Sequence, residues 1–249
     1  MKKKSSTPRR RASARGSSRA ACESCGVREL CIGGRAGKAA LRQAEHAISR
    51  RFRLKSGEYL YRIGDPFRSL YAVRSGCLRS SFRDDDGREQ VIGFHLPGDI
   101  VGVGGIGDLV YYFDLVALDQ SDICEIHFDH LDEIAGRVPE LRGTVTRILT
   151  RYMARDLQIT TLLKKENPGA RLAGFLLDFS QRIALRKGDP NRFRLPMSRA
   201  DLASHLGLDR RVVTREFRQL SERGMVKMHG RTARLPNPAG LKALATLRP

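Results

Sequence analysis

The pattern of apolar and polar positions changes three times along the chain. From Arg51 to Phe128, short alternating runs such as Glu58-Tyr59-Leu60-Tyr61, Leu70-Tyr71-Ala72-Val73 and Val91-Ile92-Gly93-Phe94 are separated by turn signals. Those signals are Gly57, Gly64-Asp65-Pro66, Ser75-Gly76, Asp86-Gly87 and Pro97-Gly98-Asp99. Short strands at even spacing with Gly and Pro between them predict a β-sandwich or barrel. A short helix over Leu41 to Ile48 precedes it. From Pro139 to Lys165 the apolar period becomes helical, with two stripes. One stripe, Val145, Ile148, Tyr152, Ile159 and Leu162, can cover the barrel. The other, Leu149, Met153, Asp156, Thr160 and Leu163, has the 4, 3, 4, 3 spacing of a seam between two copies of one helix. A helix with one broad buried face is the competing reading. Asp156 on such a seam brings two carboxylates together and weakens the pairing.

Beyond Asn167-Pro168-Gly169 a helix is predicted over Leu172 to Ile183, then a polar loop from Arg186 to Asn191. Ser198 and Asp201 form a capping-box pattern at the start of a short helix that ends near Leu206. Gly207 suits a tight turn. Asp209 can cap a second helix, and Gly224 can end it near Arg223. Two short helices joined through a Gly turn make a helix-turn-helix. The second helix puts Arg210, Arg211, Thr214, Arg215 and Arg218 on one face and Val212, Val213, Phe217 and Leu220 on the other. That is the division a major-groove recognition helix needs. Ser198 and Arg199, at the start of the first helix, are the other candidate DNA contacts. Met225 to Leu235, with His229-Gly230 inside it, reads as a β-hairpin wing. The fold class is therefore α+β: strands, a long helix, and a winged helix-turn-helix.

Charge sharpens this picture. Lys and Arg total 46 against 27 Asp and Glu, a net charge of +19. Such a chain usually meets a polyanion, and nucleic acid leads. Residues 1–21 hold eight basic residues and no acid among Ser, Ala and Gly, a composition that predicts a disordered basic tail. No apolar run approaches a membrane span. The six histidines are scattered with no nucleophile or paired carboxylates around them, so no enzyme is predicted.

The five cysteines cluster unevenly, as in a reducing, cytoplasmic compartment rather than a disulfide framework. Cys22, Cys25 and Cys31 form C-x2-C-x5-C, and Cys124 stands alone in Asp122-Ile123-Cys124-Glu125-Ile126. Four thiolates can hold zinc or an iron–sulfur cluster, and unligated thiols are the third reading. Only one C-x2-C pair is present, whereas zinc sites more often use two. Cys77, after Gly76 in a predicted strand, reads as a small buried residue.

From Cys22 onward the chain resembles the CRP/FNR family of bacterial transcription regulators, and within it the FNR branch of oxygen sensors. The resemblance rests on the cysteine spacing, with 92 residues between Cys31 and Cys124, and on four further stretches. These are His95-Leu96-Pro97-Gly98-Asp99, Cys124-Glu125-Ile126, Leu162-Leu163-Lys164-Lys165 and Leu206-Gly207-Leu208. It implies a sensory β-roll of the cyclic-nucleotide-binding jelly-roll type over residues 22–138, a dimerisation helix over 139–166 and a winged helix-turn-helix over 167–249. It also implies a [4Fe–4S] cluster on Cys22, Cys25, Cys31 and Cys124 that favours a DNA-binding homodimer under low oxygen. A palindromic DNA operator and RNA polymerase are the implied partners. Asp156 falls where the branch carries an acidic residue on its dimer helix. Where the branch presents Glu, two residues, then Ser-Arg on the recognition helix, this chain has Arg211, then Thr214-Arg215. A Glu accepts from cytosine N4 while an Arg donates to guanine or phosphate, so a different half-site is expected. The same family includes cyclic-nucleotide sensors, whose pocket needs a cation for the phosphate. No Lys or Arg occurs between Arg88 and Arg137, which disfavours that role. A zinc-binding or cluster-free regulator is the remaining alternative.

Overall fold

The structure, a computed structural model, describes residues 22–31 and 37–246. The predicted basic tail lies outside the described residues. Helix α1 (Gly37–His46) leads into strand β1 (Ile48–Leu54), so the helix predicted to Ile48 stops two residues earlier. The β-branched Ile48 instead opens the strand and pairs with Ile126.

Seven further strands complete a roll: β2 (Tyr59–Tyr61), β3 (Ser69–Val73), β4 (Leu78–Arg83), β5 (Glu89–His95), β6 (Ile100–Val101), β7 (Asp114–Ala117) and β8 (Ser121–His127). They form two four-stranded sheets, β1-β8-β3-β6 and β2-β7-β4-β5, with antiparallel pairing throughout. The interior is packed with aromatic rings. Tyr61 stacks on Tyr111 at 3.8 Å between centroids, with Tyr71 and Phe67 against the same pair.

Helix α2 (Phe128–Arg137) follows β8 and was not signalled by the alternation pattern. It buries Leu131 and Ala135 on the roll. Helix α3 (Pro139–Leu163) is the long helix expected from the period. Its Val145, Ile148 and Tyr152 pack on the roll, joined by Leu149 of the second stripe because the helix buries a face wider than one stripe, and Leu162 packs further on. The Gly174 backbone lies so close to Leu162 that a side chain there would collide with it.

Helix α4 (Pro168–Ala184) starts earlier than its apolar run because Asn167 caps it, accepting from the Ala170 N–H. Strand β9 (Arg192–Arg194), too short to be read from sequence, pairs with the wing strand β11 (Thr232–Arg234), which also pairs with β10 (Lys227–His229). Between them stand α5 (Arg199–Leu206) and α6 (Arg210–Glu222). Gly207 adopts φ +60° in the turn, where an L side chain would be strained. Helix α7 (Pro238–Thr246) closes the chain and packs against α4.

The two halves share a core. Phe94 and Leu96 of the roll lie in one apolar cluster with Leu172, Phe175, Phe179 and Leu206 of the C-terminal half. Phe94 meets the Phe175 and His205 rings edge-on at 5.9 and 5.1 Å. Polar contacts follow the same seam: Ser204 Oγ donates to Glu89 O and accepts from Val91 N, and Arg79 bridges Glu89 and Asp201. The helix-turn-helix is thus docked on the roll through α5, leaving α6 on the outside.

Candidate cysteine cleft and DNA-reading face

In β8, Cys124 and Ile126 share one face because side chains alternate along a strand. Cys124 is paired with Arg51 on β1 and Ala72 on β3. That face is roofed by the loop carrying Cys22, Cys25 and Cys31, which folds as successive tight turns. Cys25 N–H donates to Cys22 O, Arg28 N–H to Cys25 O, and Cys31 N–H to Val27 O and Arg28 O. The result is one cleft lined by all four cysteines. Its other walls are mostly apolar: Val27, Leu41, Ile48, Ala72, Val73 and Ile126.

Three arginines that the motif scan passed over serve this cleft, Arg28 and Arg74 in its lining and Arg51 through a thiol. Arg51 reaches Cys22 Sγ at 3.6 Å and Glu45 Oε1 at 3.1 Å, while Glu45 also accepts from the Cys22 N–H at 3.1 Å. Arg74 lines the cleft as well. Their signal was present: Arg51 stands opposite Cys124 in register, which needs the strand pairing to be seen. Burial raises both Cys22 and Cys124, Glu45 raises Cys22 further, and Arg51 opposes the rise at both thiols. Without metal, therefore, these are protonated thiols, and ligation displaces their protons.

Among the described residues no three or more His, Cys, Asp or Glu side chains converge as for one metal ion. All four thiols border the cleft. A mononuclear tetrahedral zinc site would need convergence within bonding distance. A polynuclear cluster holds its ligand sulfurs further apart and is soft, so an all-thiol donor set in a largely apolar wall with three arginines nearby fits it. No disulfide joins the five cysteines. Cys77, 2 % exposed, sits in the core away from the cleft, and burial pushes its thiol well up, as a structural cysteine requires.

The roll has a second cavity, against α3, lined by Tyr61, Ser80, His95, Tyr111 and Tyr152 among others. No Lys or Arg lines it. Its free volume is about 20 Å³, room for a water molecule or so. Burial, reinforced by Arg155, lowers His95 to about 3, so its imidazole is neutral and hydrogen-bonded to Ser80.

At the far end, the capping box forms as expected. Ser198 Oγ accepts from Asp201 N–H, and Asp201 accepts from Ser198 N–H. Asp209 caps α6 through the Arg211 N–H. Helix α6 buries Val213, Phe217 and Leu220, and exposes Arg210, Arg211, Thr214, Arg215 and Arg218. Arg215 folds back on the buried Glu216, and the Thr214 hydroxyl donates to the Arg210 carbonyl. Arg199 is half-buried, its guanidinium 3.2 Å from the Phe217 ring centroid, and burial lowers it to about 10. It remains a cation but leans on the core of the motif.

Along α3, Met153, Asp156 and Thr160 face solvent, Leu149 and Leu163 are partly covered, and Leu157 is exposed beside them. Met153 and Leu157 are 64 % and 68 % exposed, an apolar pair of a kind that seldom stays uncovered. Leu157 was missed because it lies one position off the heptad stripe. Among the described residues no helix is long and apolar enough to cross a membrane.

Comparison with known proteins places this architecture. Residues 51–137 match the cyclic nucleotide-binding domain, and residues 170–244 the Crp-like helix-turn-helix domain. Over 90% of this chain and 92% of its own, the transcriptional activator protein FnrA of Stutzerimonas stutzeri is 38% identical. The fumarate and nitrate reduction regulatory protein of Escherichia coli (strain K12) is 35% identical over 90% of each chain. FixK2 of Bradyrhizobium japonicum superposes with a TM-score of 0.72 at 26% identity, covering 80% of this chain and 98% of that one. A cyclic-nucleotide-binding-type roll joined through a long helix to a helix-turn-helix defines a DNA-binding transcription regulator. The chain belongs to the CRP/FNR family.

Proposed function

We propose that the chain is an oxygen-responsive transcription regulator of the FNR type, in which Cys22, Cys25, Cys31 and Cys124 hold a [4Fe–4S] cluster. The observation that carries this is the single apolar cleft on which all four cysteines border although 92 residues separate the third from the fourth. The relatives named FnrA, Anr and fumarate and nitrate reduction regulatory protein support it. When bound, the cluster supplies an oxygen-labile link between two distant parts of the chain. Arg51 and Arg74 offset the charge of the four thiolates, and the apolar wall limits water. Cys124 holds the centre to β8, and the other three cysteines hold the loop down on the roll. A cation-free cavity of about 20 Å³ supports no cyclic-nucleotide role.

The reading continues outward. Leu149, Met153, Asp156, Thr160 and Leu163, with Leu157, form the seam of a homodimer along α3. Two α6 helices then present Arg210, Arg211, Thr214, Arg215 and Arg218 to the two halves of a palindromic operator, with Ser198 and Arg199 beside the phosphates. The relatives named as activators support RNA polymerase as the further partner. The clustered cysteines, unlike a disulfide framework, support a reducing, cytoplasmic compartment.

Two outcomes follow here. Asp156→Ala strengthens dimerisation of air-exposed protein, read as a shift toward dimer in sedimentation velocity; an unchanged profile contradicts the repulsion argument. Burial raises the Asp156 pKa, and a second carboxylate across the seam raises it further. Protonation then relieves the repulsion, so air-exposed wild type dimerises better as pH falls through that raised pKa and worse above it. Arg211→Glu changes the half-site recovered by selection from random duplexes, since it exchanges a donor for an acceptor. The same recovered sequence would make Arg211 a phosphate contact only. The reading as a whole is tested by the affinity of anaerobic and air-exposed protein for a selected duplex. At least about a tenfold weakening in air is expected; equal affinities would overturn it.

A further inference from the structure

We propose that Asp99 is a positioning residue that fastens both the dimer helix and the DNA-binding half to the sensory roll, and that the cysteine loop acts on it through Leu30. The second half of this inference rests on the function proposed above; the first does not.

Asp99 lies in the turn after β5, and three guanidiniums from two other elements meet its carboxylate. Arg186 Nη2 donates to Oδ1 at 2.6 Å, Arg182 Nη2 to Oδ2 at 2.7 Å, and Arg155 Nη1 stands 3.6 Å from Oδ2. Arg155 belongs to α3, Arg182 to α4, and Arg186 to the turn that ends α4. The same cations are tied to the main chain of the roll: Arg155 and Arg182 donate to Phe94 O at 2.6 and 2.8 Å, and Arg186 to Pro97 O. Asp178 stands 3.8 Å from Arg182 and is a more distant attractive charge for Arg155 and Arg186. Burial raises the Asp99 pKa, but the three arginines outweigh it and hold the carboxyl well below its usual range. One carboxylate thus keeps three like charges, from α3 and the end of α4, in one place. Without it the cations repel one another.

The other side of this turn touches the cysteine loop. Gly98 has φ +89°, and a Cβ placed there would lie 2.6 Å from Leu30 Cβ. Leu30 immediately precedes Cys31. The turn is also stitched to the cleft wall, since Gly98 N–H donates to Val73 O and Val73 N–H donates to Asp99 O. Val73 borders the cysteine cleft. A loop pulled onto or released from the cleft therefore moves against a surface one residue from the carboxylate that holds α3 and α4. Spatial continuity alone carries no coupling. What lets the contact act on α3 and α4 is the charge node, because Asp99 is the carboxylate that Arg182 and Arg186 bond directly and Arg155 faces at 3.6 Å, with Asp178 a more distant shared charge.

The test uses the full chain, with Asp99→Asn and, should that variant fold poorly, Arg186→Gln. Iron and sulfide content, affinity for a duplex selected by the wild type with and without air exposure, and amide hydrogen exchange of residues 182–186 are measured. Both variants are expected to load iron and sulfide like the wild type. Exchange of those amides rises at least about tenfold, and the affinity contrast between anaerobic and air-exposed protein collapses to within about twofold. Unchanged exchange overturns the fastening role. Faster exchange with a retained contrast overturns the Leu30 relay. Loss of iron from both variants overturns the assignment by placing Asp99 in service of the cleft. A wild type without cluster defeats the proposed function and the relay together, and exchange still decides the fastening role.

Discussion

Anaerobically prepared Cys124→Ser protein is expected to be colourless and to bind its selected duplex no better without oxygen than with it. Cys124 is the only one of the four cleft cysteines on the roll itself, held in β8 between Arg51 and Ala72. Under the proposed ligation its sulfur would be the single ligand tying the N-terminal loop to the sheet. The substitution removes one soft ligand, and a hydroxyl does not replace a thiolate on iron. The fold survives, because Ser differs from Cys by one atom and the side chain, though buried, borders the cleft, where a hydroxyl has free space beside it; unchanged far-ultraviolet circular dichroism checks this. Cys22→Ser, Cys25→Ser and Cys31→Ser each give the same loss, read as the absence of the broad band near about 400 nm. Cys77→Ser retains the band, since that side chain is enclosed by the core. Equal losses from all five would contradict the ligand assignment.

The second large effect belongs to the seam. Leu157→Asp is expected to keep the anaerobic protein monomeric in sedimentation velocity and to weaken binding to a palindromic duplex by about a hundredfold or more. The magnitude follows from tethering. Two recognition helices held in one dimer engage two half-sites with an effective concentration that a monomer lacks. The side chain is 68 % exposed in the single chain, so the substitution costs the monomer little and acts on pairing. A dimer of unchanged strength would show that α3 is not the seam. Wild-type cluster content in the variant separates a pairing defect from a loading defect.

Much of this was legible in the residues, and what was not has physical reasons. The helix-turn-helix was readable because caps, turn glycine and charge all agree locally: Ser198 with Asp201, Gly207, Asp209 and the arginine face need no tertiary information. The roll was readable as alternation broken by glycine turns. Its partner strands were not, and neither was Arg51, whose relation to Cys124 exists only through β-pairing. Strand β9 has three residues, too few for its Arg-Phe-Arg alternation to stand out. Helix α2 begins directly at the end of β8, so its apolar spacing merged with the strand. The Asp99 node could not be read at all, because its three arginines come from positions 155, 182 and 186 and meet only in the folded chain. The cysteines themselves were plain in sequence; that they border one cleft was not.

The measurement closest to the central claim is elemental analysis of protein purified without oxygen. The account predicts about four iron and four acid-labile sulfide per chain, little zinc, and absorbance near about 400 nm that disappears in air. Colourless protein carrying one zinc per chain, or no metal, and binding DNA equally well in air would contradict it.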